Sequence, residues 1–493
     1  MIGSLTAVLL VTLFQTPPCD ALSSLSLAGT TITSAALVPE GPFVNPGGRG
    51  RGGRGGPAQP IPGHCRVTMV LRPTSDSNID VELWMPAESW NGRFLAVGNG
   101  GFAGSIQGYG DMQAALREGY ATAATDTGHS AADGPSGMFG LGHPEKIIDF
   151  AYRAVHEMTL KSKQIIDVYY DQALEYSYFK GCSTGGRQAL MAAQRYPEDF
   201  DGIIAGALAN RHIYMHTAGV ARRIHLARNP DQTISGELTG MVSDAVMNAC
   251  DTLGEGFLNN PRQCSFDFSS LLCANGQQGD MCLTPPQLRT VDTFYGGLRN
   301  SAGDLIFSGQ ALGNRLTAQQ GMGENANVSD TVRIWGFQDP DYEWREFDLD
   351  RDMPIIDAAV GFVDSVDPDL RDFEAAGGKL LLYAGWGDTT ITPENTVLYY
   401  ESVLDEMGDD QADWMRLFMV PGMGHCGGGP GPNSFDTLGT LDTWRTQGIA
   451  PDQMMGRNNQ SGLARPLCPY PEYAAYDGTG DLADAANWAC RAP

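Results

Sequence analysis

Positive charge is scarce in this chain. Its 32 lysines and arginines stand against 58 aspartates and glutamates, a formal net charge of −26. Such a field repels phosphate backbones, which excludes nucleic acid as a partner class. Long apolar runs are also lacking. The run at residues 4–14 is too short to span a bilayer, and no later stretch has the length for it, so no membrane partner is expected. The ten cysteines form no C-x-x-C pair, which argues against zinc ribbons and thioredoxin-type sites. The DTGH stretch at 126–129 has no second copy, so an aspartic protease is excluded.

What is present suits a globular protein with a sizeable core: 42% hydrophobic and 18% charged residues over 493 positions. Residues 1–18 are read as a signal segment built on the short apolar run, although the basic n-region and a clear A-x-A site are missing. An even number of cysteines in an exported chain predicts five disulfides and an oxidising compartment, secreted or periplasmic; buried free thiols are the alternative. The tract PGGRGRGGRGGP, residues 46–57, holds three arginines on an acidic protein and is read as a solvated loop rather than an RNA-binding arm.

From residue 93 the texture alternates between strand and helix. RFLAVG and YATAATD (120–126) read as strands. HPEKIIDFAYRAVHEMTLKSKQIIDVYY (143–170) reads as one long helix with Pro144 near its first turn. YSYF (176–179) reads as a strand, RQALMAAQRY (187–196) as a helix, and FDGIIAGAL (200–208) as a strand. Between about 209 and 375 the alternation breaks down, which predicts a large insertion. It resumes with KLLLYAGWGD (379–388) and RLFMVPGMGHC (416–426).

Between the 176–179 strand and the 187–196 helix lies GCSTGG, in which Gly181, Ser183 and Gly185 match G-x-S-x-G. In a chain with 62 glycines the frame alone also fits a plain Gly-rich turn. A sharp strand-to-helix turn, however, lifts a serine oxygen clear of the backbone and aims the next N–H at the same point. Acyl transfer then needs a base and an acid to hold it. His425 alone among eight histidines combines a strand-end loop, a late position and a Gly-rich surround. Asp388 follows an apolar strand; its bland role is a helix cap. Asp126 is the rival acid, but precedes the serine. The order Ser183, Asp388, His425 is that of an α/β-hydrolase fold. The oxyanion donors are expected from Thr184 and from Gly100 or Gly101 in GNGGFAG. Forcing that loop into a dinucleotide fingerprint fails, because no proper helix or distal acid follows. Cys182 precedes the serine and Cys426 follows the histidine, so a bridge between them would lock nucleophile to base.

With these residues in place, the sequence resembles the tannase and feruloyl esterase family, which includes the mono(hydroxyethyl) terephthalate hydrolases. The resemblance rests on Cys182-Ser183, Asp388 and His425-Cys426, and on the blocks ALSSLSLAGTTITSAALVP, WNGRFLAVGNGGFAG, GYATAATDTGH, LGHPEKIIDFAYRAVHEMT and RYPEDFDGIIAGA. It implies an α/β class, an α/β-hydrolase core with a large lid inserted after the nucleophile elbow: core 19–208, lid 209–375, core 376–493. It implies the pairs Cys19–Cys65, Cys250–Cys264, Cys273–Cys282 and Cys468–Cys490 beside Cys182–Cys426. It implies secreted hydrolysis of small esters of aromatic acids, feruloyl, galloyl or terephthalate, with no cofactor needed for the chemistry. A non-catalytic aromatic-binding member is the alternative of a different class. Phe337, Tyr342 and Trp344 are candidate ring contacts, and Arg333 a carboxylate partner or surface cation.

The family's calcium loop is altered here. It reads CDTLGEGFLNNPRQC, residues 250–264, about three residues short. Asp251, Glu255 and Phe257 remain as candidate calcium ligands, whereas calcium takes six to eight oxygens. A disulfide-closed acidic loop is the alternative.

Overall fold

The computed structural model describes residues 18–45, 59–133, 136–274, 281–316 and 330–493. The apolar run at 4–14 and the tract at 46–57 lie outside them. Three antiparallel strands open the fold: β1 (Thr30–Val38), β2 (His64–Leu71) and β3 (Ile79–Pro86). Then come β4 (Arg93–Val97), β5 (Ala121–Thr125), β6 (Tyr176–Cys182) and β7 (Gly202–Gly206). A small hairpin, β8 (Leu298–Arg299) and β9 (Leu305–Phe307), lies apart from the main sheet. The sheet is completed by β10 (Lys379–Gly385) and β11 (Met415–Val420).

The strand order is β1-β2-β3-β5-β4-β6-β7-β10-β11. β3 pairs antiparallel with β5, and from β5 to β11 every pairing is parallel. Parallel strands need crossovers, and here helices provide them on both faces. Side-chain alternation feeds two cores. Leu380, Leu382 and Ala384 of β10 join one apolar cluster, while Leu381 and Tyr383 join the other. This is why those strands read as unbroken apolar runs.

The helices of the first half are α1 (Tyr109–Arg117), α2 (Pro144–Ile148), α3 (Ala154–Tyr170) and α4 (Thr184–Arg195). The run expected as one helix from 143 to 170 contains a π-helical turn, Asp149–Arg153. Its physical cause lies in a neighbour. The buried guanidinium of Arg187 takes the carbonyls of Phe150 and Ala151, at 3.0 and 2.8 Å.

Among the described residues, none between β7 and β10 adds a strand to the main sheet. The segment carries α5 (His212–Arg228), α6 (Gly236–Cys250) and α7 (Pro285–Gly296). Two apolar clusters serve it, one around Trp335, Ile213 and Ile356 and one around Val242, Leu238 and Phe294. Five disulfides join Cys19–Cys65, Cys182–Cys426, Cys250–Cys264, Cys273–Cys282 and Cys468–Cys490. After β11 the chain adds two hairpins, β12 (Met454–Arg457) with β13 (Ala464–Leu467), and β14 (Tyr473–Tyr476) with β15 (Trp488–Arg491).

Candidate active site

Ser183 sits in a single-residue turn between β6 and α4, with φ 66° and ψ −122°. A non-glycine residue there is strained, and such strain persists only where the surroundings enforce it. They do so here. Strand and helix cross so closely that a Cβ on Gly181 would lie 2.3 Å from the Gly185 carbonyl oxygen. The serine N–H donates to Gly206 O at 3.0 Å, tying the turn to β7. Ser183 itself is half-buried.

Asp388 lies three residues beyond β10 and His425 five beyond β11, at the ends of adjacent parallel strands. His425 Nδ1 is 2.8 Å from Asp388 Oδ2. The carboxylate is 1% exposed and the imidazole 27%. Asp388 Oδ1 accepts from the backbone N–H groups of Thr390 and Ile391, at 2.7 and 3.0 Å. The cap-like role and the histidine-holding role thus fall on different oxygens of one side chain. Asn314, from the segment between β7 and β10, donates to the carbonyls of Trp386 and Asp388 and grips the acid loop from the other side.

The residues next to Ser183 and His425 are linked to each other. Cys182 and Cys426 are bridged, with Cα atoms 5.9 Å apart across 244 sequence positions. Asp126, the rival acid, is engaged elsewhere. Its Oδ1 accepts from the N–H groups of Asp80 and Gly128, and burial pushes its carboxyl up to about 8.

Thr184 is the first residue of α4, where helix N–H groups lack intrahelical partners. The loop after β4 lies against it. Here the two glycines differ. The Gly100 N–H is taken by Gln107 Oε1 at 2.9 Å, whereas at Gly101, φ +57°, a Cβ would meet nothing within 4 Å. Beside them Phe102 meets His212 and Trp335 edge-on at 5.5 and 5.4 Å and His216 at 5.2 Å. No pattern in the sequence singles out Phe102, His212 or His216. Burial holds both histidines below their usual range, His216 at about 4, so they serve as neutral rings.

Other candidates are occupied by packing. Phe337 and Tyr342 stack on each other at 4.5 Å, and Trp344 lies between Arg223 and Arg345. Arg333 pairs with Asp330 at 2.8 Å. A cavity of about 770 Å³ opens near Arg222, Thr290 and Asp350, but neither Ser183, Asp388 nor His425 lines it.

The loop at Asp251 does not fit the calcium ion that the resemblance implies. Asp251 Oδ1 accepts from the N–H groups of Gly254 and Glu255, and Oδ2 from Gly256. Glu255 Oε1 is bound at 2.5 Å by Arg465, whose side chain is 0% exposed. Arg465 also donates to Asn259 Oδ1, lies 3.5 Å from the Trp488 ring centroid and faces Phe257. Both candidate carboxylates are therefore committed, and a guanidinium already supplies the positive charge beside Glu255.

Comparison with known proteins agrees with this architecture. The family model described as tannase and feruloyl esterase matches residues 65–335 and 342–491. An uncharacterized esterase of Xanthomonas campestris pv. campestris is 35% identical, over 98% of this chain and 92% of its own length. The probable feruloyl esterase B-2 of Aspergillus terreus is 31% identical, with 86% of each chain covered. The crystal structure of feruloyl esterase B from Aspergillus oryzae superposes with a TM-score of 0.86 at 28% identity, covering 96% of this chain and 99% of that one. By fold and by sequence, this chain belongs to the tannase and feruloyl esterase family of carboxylic ester hydrolases.

Proposed function

We propose that the protein is a secreted serine esterase that cleaves small esters of aromatic acids through an acyl-enzyme. The observation that carries this reading is the strained Ser183 turn with the Asp388–His425 pair bridged to it by Cys182–Cys426. The related proteins named as feruloyl esterases support the aromatic acid part. Five disulfides support an oxidising, extracytoplasmic site of action.

Asp388 accepts the Nδ1–H of His425, which leaves Nε2 as the lone-pair nitrogen. That nitrogen takes the Ser183 proton as the serine oxygen attacks the ester carbonyl. The carbonyl oxygen becomes an oxyanion, held by the N–H groups of Thr184 and Gly101. As the tetrahedral species collapses, the imidazolium passes its proton to the departing alkoxide oxygen, giving the free alcohol and an acyl-serine. Water repeats the sequence: Nε2 takes its proton, the hydroxide oxygen bonds to the acyl carbon, and the proton returns to Ser183 as the acid leaves. Residues 209–375 act as the lid over a core of 19–208 and 376–493 and supply the acid-side pocket. Calcium takes no part in these steps.

The test is a panel of methyl ferulate, methyl gallate and mono(hydroxyethyl) terephthalate, with mass spectrometry of enzyme inactivated by diethyl p-nitrophenyl phosphate. Turnover of at least one aromatic ester and a phosphoryl adduct on Ser183 are expected. An adduct elsewhere, or preference for long aliphatic acyl chains, would overturn the assignment.

A further inference from the structure

The two oxyanion donors come from segments 83 positions apart, and one of them lies in a glycine loop. Stabilising an oxyanion needs both N–H groups about 2.7–3.1 Å from the same point. A loop containing Gly100 and Gly101 does not hold such a register by itself, because glycine leaves φ and ψ free. Its internal tie, Gln107 Oε1 on the Gly100 N–H, does not reach Thr184, so the register between the two segments needs contacts across them.

The fixing contacts come from α4. Gln188, 2% exposed, stands five residues beyond Ser183. Its Oε1 accepts from the backbone N–H of Asn99 at 2.9 Å, and its Nε2 donates to Asn99 Oδ1 at 3.2 Å. Asn99, 4% exposed, uses its own Nδ2 to reach Thr125 O at the end of β5, at 2.7 Å. At the other end of the loop Thr184 Oγ1 donates to Gly101 O at 2.6 Å. One donor residue is thus bonded through its side chain to the other donor residue. The surfaces are in direct contact, since a Cβ on Gly98 would lie 2.8 Å from Gly185 Cα. All of these bonds are neutral, so none places a negative charge beside the developing oxyanion.

We infer that the Gln188–Asn99 amide pair and the Thr184 hydroxyl form a spacer that sets the distance between the Thr184 and Gly101 N–H groups. Gln188 and Asn99 are positioning residues, acting on the reaction through the loop. This rests on the serine-esterase reading and adds to it the means by which the oxyanion hole keeps its shape.

The test uses full-length Thr184→Val, Thr184→Ser and Gln188→Met enzymes. Thr184→Val keeps the size and the backbone N–H but removes the tie. The readouts are kcat and KM for p-nitrophenyl acetate, inhibition by phenylboronic acid, and the melting temperature. Thr184→Val and Gln188→Met should lose about 10- to 100-fold in kcat with KM within about twofold, as expected for misplacing rather than deleting a donor. Inhibition by phenylboronic acid, which forms a tetrahedral serine adduct, should weaken in step. Thr184→Ser, which retains the hydroxyl, should recover most of the loss. If Gln188→Met melts early, the two Thr184 variants decide the matter. Full activity in Thr184→Val, or equal impairment in Thr184→Ser, overturns the spacer. Ser183→Ala is run alongside: turnover or boronate binding retained there defeats the serine-esterase reading instead.

Discussion

Asp388 touches His425 with one carboxylate oxygen and the backbone of its own turn with the other. The turn therefore aims the acid, and the acid aims the imidazole. Asp388→Asn keeps the oxygen that caps the turn but presents an N–H to Nδ1, so the imidazole adopts the wrong tautomer. We expect kcat to fall by about 10⁴-fold with little change in melting temperature. A loss of less than tenfold would remove Asp388 from the mechanism.

Ser183→Ala should abolish acyl-enzyme formation, read as the loss of the p-nitrophenol burst. Alanine carries the same positive φ with no functional hydroxyl to justify it, so stability should change little. Near-wild-type turnover would move the nucleophile elsewhere.

Reducing the link between the elbow and the histidine loop should separate stability from rate. The Cys182→Ala, Cys426→Ala double variant loses a closure of 244 positions, an upper figure of roughly 5 kcal/mol. Below its melting temperature it should still be slowed about a hundredfold, because His425 loses its fixed distance to the serine. Wild-type kcat in the folded double variant would show the bond to be purely structural.

The Asp251 loop should be indifferent to calcium. Melting curves in calcium and in chelator should coincide, and a calcium-dependent rise would restore the ion. Arg465→Met should cost about 3–5 kcal/mol, because it leaves Glu255 buried without its partner. Adding Glu255→Gln to that variant should recover part of the loss, as judged by urea denaturation.

Asp126 sets a pH dependence of opposite sign to the common one. Its folded pKa, about 8, lies above its ordinary value of 3.8. Between those limits the folded state retains a proton that the unfolded state has released, so stability falls as pH rises. Below 3.8 and above 8 the contribution is level. Asp126→Asn should therefore gain on the wild type as pH goes from 4 to 8, in chemical denaturation curves. An unchanged gap across that range would place the Asp126 pKa near its ordinary value.

Much of this site is legible in the chain. Strands β4 to β7, β10 and β11 are buried on both faces, so they stand out as apolar runs, and the candidate site residues follow them. β1 to β3 escape notice for other reasons. β2 alternates buried with half-buried positions and β1 is mostly exposed, while no helices separate the three strands and no motif marks their ends. The π-helical turn at Asp149–Arg153 is silent because Arg187, not the local pattern, diverts its carbonyls. Gln188 in isolation resembles a solvent-facing helix residue. The polar partners that make it an internal residue belong to Asn99, 89 positions away. Glu255 and Arg465, 210 positions apart, are hidden in the same way.

The bridge between Cys182 and Cys426 encloses everything from the serine to the histidine in one covalent ring. A protease that cuts anywhere inside that ring opens a loop but releases no half of the molecule. The product is a two-chain enzyme whose serine and histidine remain on opposite sides of the same sulfur–sulfur bond. If the protein acts outside the cell, as proposed, a nick in residues 209–375 is then a survivable event, visible as two fragments only after reduction.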